Sequence, residues 1–186
     1  EIDWKQVRSA GMEFAIIRIG YRGYTSGGVY ADEYARANLE EARAAGLKVG
    51  VYFYSQALDE GEALREARFC LDFLDGEALD LPVVFDWEYA GEDTRSAEMT
   101  RDTLMACTRA FCREVEQAGY QPMVYFNPHI AENLLELEQL QEYPFWLAMY
   151  SDEMTWPYEV EMWQYTATGS MPGIEGDTDI NLWFVE

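Results

Sequence analysis

The sequence predicts a single α/β domain, in which short buried strands alternate with longer helices. Five short segments are apolar at nearly every position, as in parallel strands that are covered on both faces. Amphipathic stretches separate several of them, and glycines follow these stretches where helix C-caps are expected. The 186 residues are enough to bury a sizeable core. With right-handed crossovers, this alternation leaves two architectures, an open doubly wound sheet and a barrel.

The predicted strands are rich in β-branched and aromatic residues. They cover residues 14–19, 49–54, 81–88, 123–126 and 145–150. Residues 20–28 contain four glycines without phosphate-loop spacing, and we interpret them as a surface loop at a strand end. After Tyr150 the tryptophans and tyrosines lie among turn residues, which predicts either an irregular tail or short strands.

Three helices are predicted between these strands. The first covers residues 32–45 and ends at Gly46, and the second covers residues 59–74. The third covers residues 96–118 and ends at Gly119, and Thr94 or Ser96 is its expected N-cap.

The composition excludes several classes of protein. Apolar residues make up 49% and aromatic residues 15%, which is not the composition of a disordered chain. The net charge of −22 disfavours binding to nucleic acid or to anionic lipid. No apolar run reaches the roughly 18 residues of a membrane-spanning helix. No signal peptide is visible, but the sequence starts at Glu1 without Met, so we expect its N-terminus to have been trimmed.

The cysteine and histidine pattern predicts neither a disulfide nor a metal site. Cys107 and Cys112 lie about 140° apart around a predicted helix, so they cannot form a disulfide. We expect both, with Cys70, to be small buried side chains. His129 is the single histidine and there is no C-x-x-C, so we expect no zinc and no other cofactor.

Two carboxylates end the most apolar predicted strand. Asp86 and Glu88 are two residues apart and therefore point to the same face of a strand. Their Cα atoms would lie about 7 Å apart and their carboxyl groups about 5–7 Å apart. Like charges at this distance can leave one acid protonated and the other ionised, as glycoside hydrolysis requires. The alternative is a structural pair that caps the next helix or meets an arginine.

Aromatic residues accompany these acids at the predicted strand ends. The five are Tyr52, Tyr54, Tyr125, Trp146 and Tyr150. Aromatic rings with polar edges are suited to sugars, whose faces are apolar and whose rims carry hydroxyls. The alternative interpretation places them in the core.

The same segments, read in order, resemble family 25 of the glycoside hydrolases, the bacterial and phage lysozymes that act as N-acetylmuramidases. The resemblance runs from end to end and rests on several short motifs together. They are Ile2-Asp3-Trp4, Phe14-Ala15-Ile16-Ile17-Arg18 with Gly20-Tyr21, Ala45-Gly46-Leu47-Lys48-Val49-Gly50-Val51-Tyr52, Leu81-Pro82-Val83-Val84-Phe85-Asp86-Trp87-Glu88, Gly119-Tyr120 with Pro122 and Tyr125, Trp146-Leu147-Ala148 with Tyr150, Trp163-Gln164-Tyr165, and Gly173-Ile174 with Gly176, Asp179 and Asn181.

This resemblance implies a flattened, irregular β/α barrel that occupies residues 1–186 as one catalytic domain. It implies Glu88 as the general acid, Asp86 as its partner and Asp179 as a further carboxylate of the site. The residues expected to bind substrate are Arg18, Tyr54, Tyr125, Asn127, Trp146, Tyr150 and Gln164. The expected partner is the glycan strand of peptidoglycan, and the protein is expected to be a secreted or cell-wall-associated monomer of bacterial or phage origin.

The sequence departs from the family at two places. The family opens with a strand of the form G-x-D-x-S that carries a catalytic Asp, and this sequence starts about ten residues later, so we expect that strand to be missing from it. Either the full gene product contains the strand, or the protein lacks it. Asp3 belongs to the following segment. Phe53 replaces a histidine of many members, which we expect to change the polarity beside the cleft.

The expected mechanism is substrate-assisted, in which the 2-acetamido oxygen attacks C1 and Asp86 stabilises that group. Direct inversion with water activated by Asp86 or Asp179 remains an alternative. A non-catalytic cell-wall-binding module on the same fold is another. A chitinase-like hydrolase would carry further acids where this chain has Val84 and Leu81, which disfavours it.

Overall fold

The computed structural model describes residues 1–184 of the chain. The helices are α1 (Trp4–Ser9), α2 (Ala35–Ala44), α3 (Glu60–Leu74), α4 (Arg101–Gln117) and α5 (Pro128–Leu134), with a 3-10 turn at Leu137–Gln139. The strands are β1 (Phe14–Arg22), β2 (Val29–Ala31), β3 (Lys48–Ser55), β4 (Val83–Trp87), β5 (Pro122–Phe126), β6 (Phe145–Ala148), β7 (Met162–Gly169) and β8 (Thr178–Trp183).

All eight strands form one curled sheet in the order β2-β1-β3-β4-β5-β6-β7-β8. Six neighbouring strands pair in parallel, in the order β1-β3-β4-β5-β6-β7. The strands at the two ends of the sheet, β2 and β8, pair antiparallel with their neighbours. The curl brings the ends towards each other, since the ring of Phe14 in β1 lies 5.9 Å from that of Trp183 in β8. The predicted α/β class and its flattened, irregular barrel are therefore confirmed, with the barrel present as a half-barrel.

The core has two layers, one on each face of the sheet. On the outer face the helices pack against the strands, with the rings of Phe85 and Phe111 4.9 Å apart and those of Phe53 and Phe69 5.5 Å apart. The inner face carries a smaller cluster. Its buried members are Val84, Met123, Tyr125, Trp146, Ala148 and Met162. The expected polarity change from Phe53 is wrong, because this fully buried ring faces α3 and not the inner face.

The second predicted helix agrees closely with α3, which Asp59 caps by accepting the Glu62 N–H. The predicted start of the third helix is wrong, because α4 begins after Thr100, whose hydroxyl accepts the Thr103 N–H. The Thr94 hydroxyl donates to the Gly91 carbonyl and also lies 3.0 Å from the Ser96 hydroxyl. Both predicted caps are thus engaged in a turn that precedes the helix.

The interpretation of residues 20–28 as a loop is only partly correct. Strand β1 continues to Arg22 and forms a hairpin with β2, so that the loop covers residues 23–28 alone. Gly20 allows this close approach, since a Cβ there would lie 2.8 Å from the Tyr30 carbonyl oxygen. The predicted strand 145–150 ends at Ala148, and the region after Tyr150 forms the short strands β7 and β8.

A buried ion pair connects this hairpin to α3. The Arg22 Nε atom lies 2.6 Å from the Glu66 carboxylate, and both side chains are almost completely inaccessible. The Ser55 hydroxyl donates to the other Glu66 oxygen at 2.5 Å. A second Arg22 nitrogen donates to the Gly27 carbonyl at 2.7 Å, which connects the base of the loop to the core.

The three cysteines are buried and free, as the sequence predicted. Burial raises the pKa of each thiol, so all three are held in the neutral form. Among residues 1–184, no cluster of His, Cys, Asp and Glu is arranged to hold a metal ion. Within the same residues, no helix combines the length and apolarity needed to span a membrane.

Candidate active site

One row of residues crosses the sheet near the carboxyl ends of its parallel strands. Tyr54 of β3 is in register with Asp86 of β4. The row continues through Tyr125 of β5 to Trp146 of β6. Because residues in register point to the same face, the strand geometry surrounds one acid with aromatic side chains.

An open cavity of about 620 Å³ lies over the inner face of this row. Its lining includes the three predicted acids, Asp86, Glu88 and Asp179. It also includes five of the residues predicted to bind substrate. These are Arg18, Tyr54, Tyr125, Trp146 and Gln164. The structure therefore brings together side chains from β1, β3, β4, β5, β6, β7 and β8 in a single cleft.

Two predicted substrate-binding residues do not line this cavity. Tyr150 is connected to it indirectly, because its hydroxyl donates to Gln164 Oε1 at 2.9 Å. Asn127 Oδ1 accepts the Ile130 N–H at 3.0 Å and caps α5. The structure thus places Asn127 in a local capping role, which a strand-end position in the sequence does not distinguish from ligand binding.

Asp86 is the most deeply buried acid of the cleft, with 5% of its surface exposed. Its Oδ1 atom is inaccessible and has no hydrogen-bond partner among residues 1–184. Burial raises the pKa of Asp86 well above its ordinary value, and the charge of Glu88 and a hydrogen bond with Glu88 raise it further. A hydrogen bond between two carboxyl groups requires one proton between them.

Glu88 lies after the end of β4 and is half-buried. Burial raises the pKa of Glu88, and the charge of Asp179 acts in the same direction. A hydrogen bond with Asp86 acts against it. Burial is therefore the main cause of the raised pKa of Glu88.

Asp179 approaches the acid pair from β8, at the end of the curled sheet. Its side chain is exposed, yet partial desolvation raises its pKa. Asn181, two residues further along the same strand, accepts a hydrogen bond from Trp146 Nε1 at 2.9 Å and lines the same cavity. Asn181 was not among the predicted site residues, although its two-residue spacing from Asp179 would have indicated a shared face.

The tyrosine hydroxyls of the cleft stay protonated over the range in which the acids titrate. Burial and the charges of Glu88 and Asp86 raise the pKa of Tyr54 to about 12. Burial and the charge of Asp86 also raise the pKa values of Tyr52 and Tyr125. The Tyr125 hydroxyl donates to Gln164 Oε1 at 3.1 Å. The neutral hydroxyls of Tyr52 and Tyr54 can donate hydrogen bonds to a bound polar ligand.

This half-barrel carries an acid pair and aromatic side chains at the ends of its strands, an arrangement suited to the hydrolysis of sugar bonds. The fold and the site together indicate a glycoside hydrolase. The family model named "Glycosyl hydrolases family 25" matches residues 1–174. The chain belongs to this family.

Curated relatives align with almost the whole chain. The uncharacterized protein YegX of Escherichia coli K12 is 28% identical over 193 residues, covering 97% of this chain and 64% of the relative. The autolytic lysozyme of Clostridium acetobutylicum is 25% identical over 181 residues, covering 97% of this chain and 51% of the relative. The chain thus spans less than two thirds of the length of these relatives.

A solved structure agrees in fold as well as in sequence. The modular autolysin LytC from Streptococcus pneumoniae superposes with a TM-score of 0.83 at 28% identity, covering 98% of this chain and 43% of that one. The same autolysin has been solved in complex with a synthetic peptidoglycan ligand.

Proposed function

We propose that this domain is a lysozyme that hydrolyses the β-1,4 bond between N-acetylmuramic acid and N-acetylglucosamine in peptidoglycan. The observation that carries the proposal is that Asp86, which is buried, and Glu88 lie together in the cleft of a family 25 half-barrel. The names of the autolytic lysozyme and of the LytC complex with a peptidoglycan ligand support it.

Glu88 acts as the general acid in this proposal, because it is the more accessible member of the pair. An acetamido N–H that donates to Asp86 would favour the ionised form of that buried carboxyl and so leave the shared proton on Glu88. The bond between C1 and the leaving oxygen breaks while Glu88 protonates that oxygen and the acetamido oxygen bonds to C1. Water then attacks C1 and opens the oxazolinium intermediate, and the ionised Glu88 takes up a proton from that water.

The remaining cleft residues position the sugar. Trp146 and Tyr125 form an edge-to-face pair with ring centroids 5.0 Å apart, and this largely buried pair shapes the wall against which a sugar would lie. Gln164 accepts hydrogen bonds from Tyr125 and Tyr150 and fixes their orientation. Asp179 faces the pair from β8, where it can stabilise positive charge that develops at C1 or activate water. We include Arg18 and Tyr54 as further substrate contacts from the same lining.

Analysis of the reaction products tests this function directly. Purified peptidoglycan is incubated with the protein, and the new reducing ends are identified after borohydride reduction. New muramic acid reducing ends support a muramidase, whereas new glucosamine reducing ends would indicate a different glycosidase. Binding to cell walls without any new reducing ends would contradict the lysozyme proposal and favour a wall-binding module.

We expect hydrolysis to be fastest at mildly acidic pH. Burial raises the pKa of both acids, so the active form with one shared proton persists above the usual range of carboxyl groups. As pH rises through the raised pKa values this proton is lost and the rate falls. As pH falls, the pair takes up a second proton and the rate falls again.

The measurement is a pH–rate profile on a short oligosaccharide and on whole cell walls, each at low and high salt. The salt series separates the titration of the acids from repulsion between anionic walls and a chain of net charge −22. A basic limb that persists on the short substrate at high salt belongs to the acid pair. A flat profile on that substrate from about pH 5 to 9 would contradict the general-acid assignment.

We further propose that one more strand completes the barrel between β1 and β8. Strand β2 pairs with β1 only from Gly20 to Arg22, so the lower part of β1 has a free edge within the described residues. Strand β8 has its outer edge on the other side of the same cavity. Ile16 and Ile180, one on each strand, line the space between them. A strand of the form G-x-D-x-S would add a further carboxylate to the cleft.

A version of the protein that carries such a strand before residue 1 is expected to be more stable and more active than residues 1–186 alone. Each backbone group left without a partner costs about 1–3 kcal/mol if it is buried. The melting temperature and the rate of wall lysis of the two versions provide the comparison. Equal values in both measurements would show that the strand is dispensable.

The proposed partner is the glycan strand alone, and the proposed acting form is a secreted or wall-associated monomer of bacterial or phage origin. The described chain contributes every residue invoked in the cleft by itself, which is consistent with action as a monomer.

A further inference from the structure

The hairpin at the end of β1 and the turn that follows it expose an unusual number of tyrosine side chains. Tyr21, Tyr24, Tyr30 and Tyr34 are 36%, 55%, 46% and 56% exposed. A single exposed aromatic residue needs no special explanation, but a group on one hairpin indicates a binding surface. We call these four side chains the tyrosine hairpin.

The tyrosine hairpin continues the row that contains the acids. Tyr21 is in register with Tyr54, which is in register with Asp86, so the Cα atoms of Tyr21 and Asp86 are about two strand spacings, or roughly 10 Å, apart. The rings of Tyr21 and Tyr30 are stacked, with centroids 5.4 Å apart and planes inclined by 29°. This stacked pair therefore lies beside the cleft on the side of β1.

Hydrogen bonds and ion pairs connect the hairpin loop to the rest of the protein. Within its loop, the Gly23 N–H donates to the Gly28 carbonyl at 2.9 Å. The Arg95 N–H donates to the Tyr24 carbonyl at 3.0 Å, and the Arg95 guanidinium binds both oxygens of Glu62. Together with the Arg22–Glu66 pair, these contacts fix the loop before any ligand binds, so that binding to the tyrosines requires little further ordering.

The charges around the hairpin favour an uncharged ligand. Arg18, whose guanidinium lies 5.7 Å from the centre of the Tyr21 ring, is paired with Asp32 at 2.8 Å. Arg22 is paired with Glu66. These cations are thus neutralised by acids of the same chain, and tyrosine rings with free edges suit the apolar faces and hydroxyl rims of sugars.

We propose that the tyrosine hairpin binds uncharged N-acetyl sugar rings of the same glycan strand, beyond the two sugars at the cleaved bond. This inference rests on the proposed lysozyme function and extends it. The enzyme then prefers longer glycan strands, because only a strand that extends beyond the two sugars at the cleaved bond reaches from the acid pair to the stacked tyrosines.

The test compares wild type with the double variant Tyr21→Ala/Tyr30→Ala on glycan fragments of four and of eight or more sugars. A two-sugar fragment, which covers only the cleaved bond, is added to the series. The variant is expected to hydrolyse the two-sugar fragment at the wild-type rate and to lose roughly tenfold in kcat/KM on the long fragment, mainly through KM. The variant Tyr21→Phe/Tyr30→Phe keeps the rings and should retain most of the preference. Tyr158→Ala is the matched control, because Tyr158 is exposed in another loop and does not line the cleft.

Equal dependence on chain length in wild type and in the alanine variant would overturn the proposal. Tyr24→Ala provides a second variant should the double variant melt early, and an unchanged preference in it would count against the hairpin. Binding of all three fragments is also measured in Glu88→Gln backgrounds with and without the alanine substitutions. If wild type cleaves none of the fragments, the lysozyme function fails, while loss of the tighter binding of long fragments still supports the hairpin as a glycan site.

Discussion

Replacing Glu88 with glutamine is expected to lower the rate of glycan hydrolysis by about 10²–10⁴-fold. Glutamine preserves the shape of the side chain after β4 but has no acidic proton for the leaving oxygen. The fold should be retained, because Glu88 is only half-buried and its backbone carbonyl still accepts the Gln56 side-chain amide at 2.6 Å. Initial rates of reducing-end release, with melting temperature and glycan affinity measured in parallel, provide the evidence.

The matched control is Glu161→Gln, because burial also raises the pKa of Glu161 but this residue does not line the cleft. Its activity should stay within about twofold of wild type, which would attribute the effect of Glu88→Gln to position rather than to charge. If the Glu88→Gln variant retains more than roughly a tenth of the wild-type rate, Glu88 is not the general acid.

Replacing Glu66 with leucine is expected to destabilise the protein by about 3–5 kcal/mol. Glu66 is completely buried and accepts hydrogen bonds from both Arg22 and Ser55. Its removal leaves a buried guanidinium that cannot lose its proton. Urea denaturation, with the free energy of unfolding extrapolated to water, measures the loss.

The reverse substitution provides the internal control. Arg22→Met is expected to cost less, because the pKa of Glu66 is already raised by burial and the carboxyl can take up a proton. Lowering the pH through the raised pKa of Glu66 should recover part of that loss, whereas it should not rescue Glu66→Leu. The double variant should be more stable than Glu66→Leu alone. A loss below about 1 kcal/mol for Glu66→Leu would show that the pair contributes little.

Local patterns in the sequence were sufficient for the class of fold and for the centre of the site. The continuous apolar runs predicted the buried parallel strands because their side chains are covered on both faces. The two-residue spacing of Asp86 and Glu88 placed both on one face of a strand, and the cavity contains both. The net charge of −22 disfavoured nucleic acid and anionic lipid as partners, because a strongly acidic surface repels phosphate groups.

The family resemblance was needed for Asp179, since no local pattern connects it to a strand far earlier in the chain. The curl of the sheet brings β8 to face β4 across the cavity, and only that closure places this carboxyl near the pair. Asn127 shows the opposite case, because a strand-end position was consistent with ligand binding until the structure assigned its oxygen to the cap of α5.

The sequence by itself determined the properties that are set within one element. These are the positions of the strands, the alternation of side chains between the two faces of a strand, and the shared face of residues two positions apart. Tertiary structure alone decided the burial of Asp86, the burial of Arg22 against Glu66 and the position of the tyrosine hairpin beside the acids. The physical reason is that pKa shifts and buried ion pairs depend on desolvation and on distances between side chains. Those distances arise only when strands and helices far apart in sequence pack together.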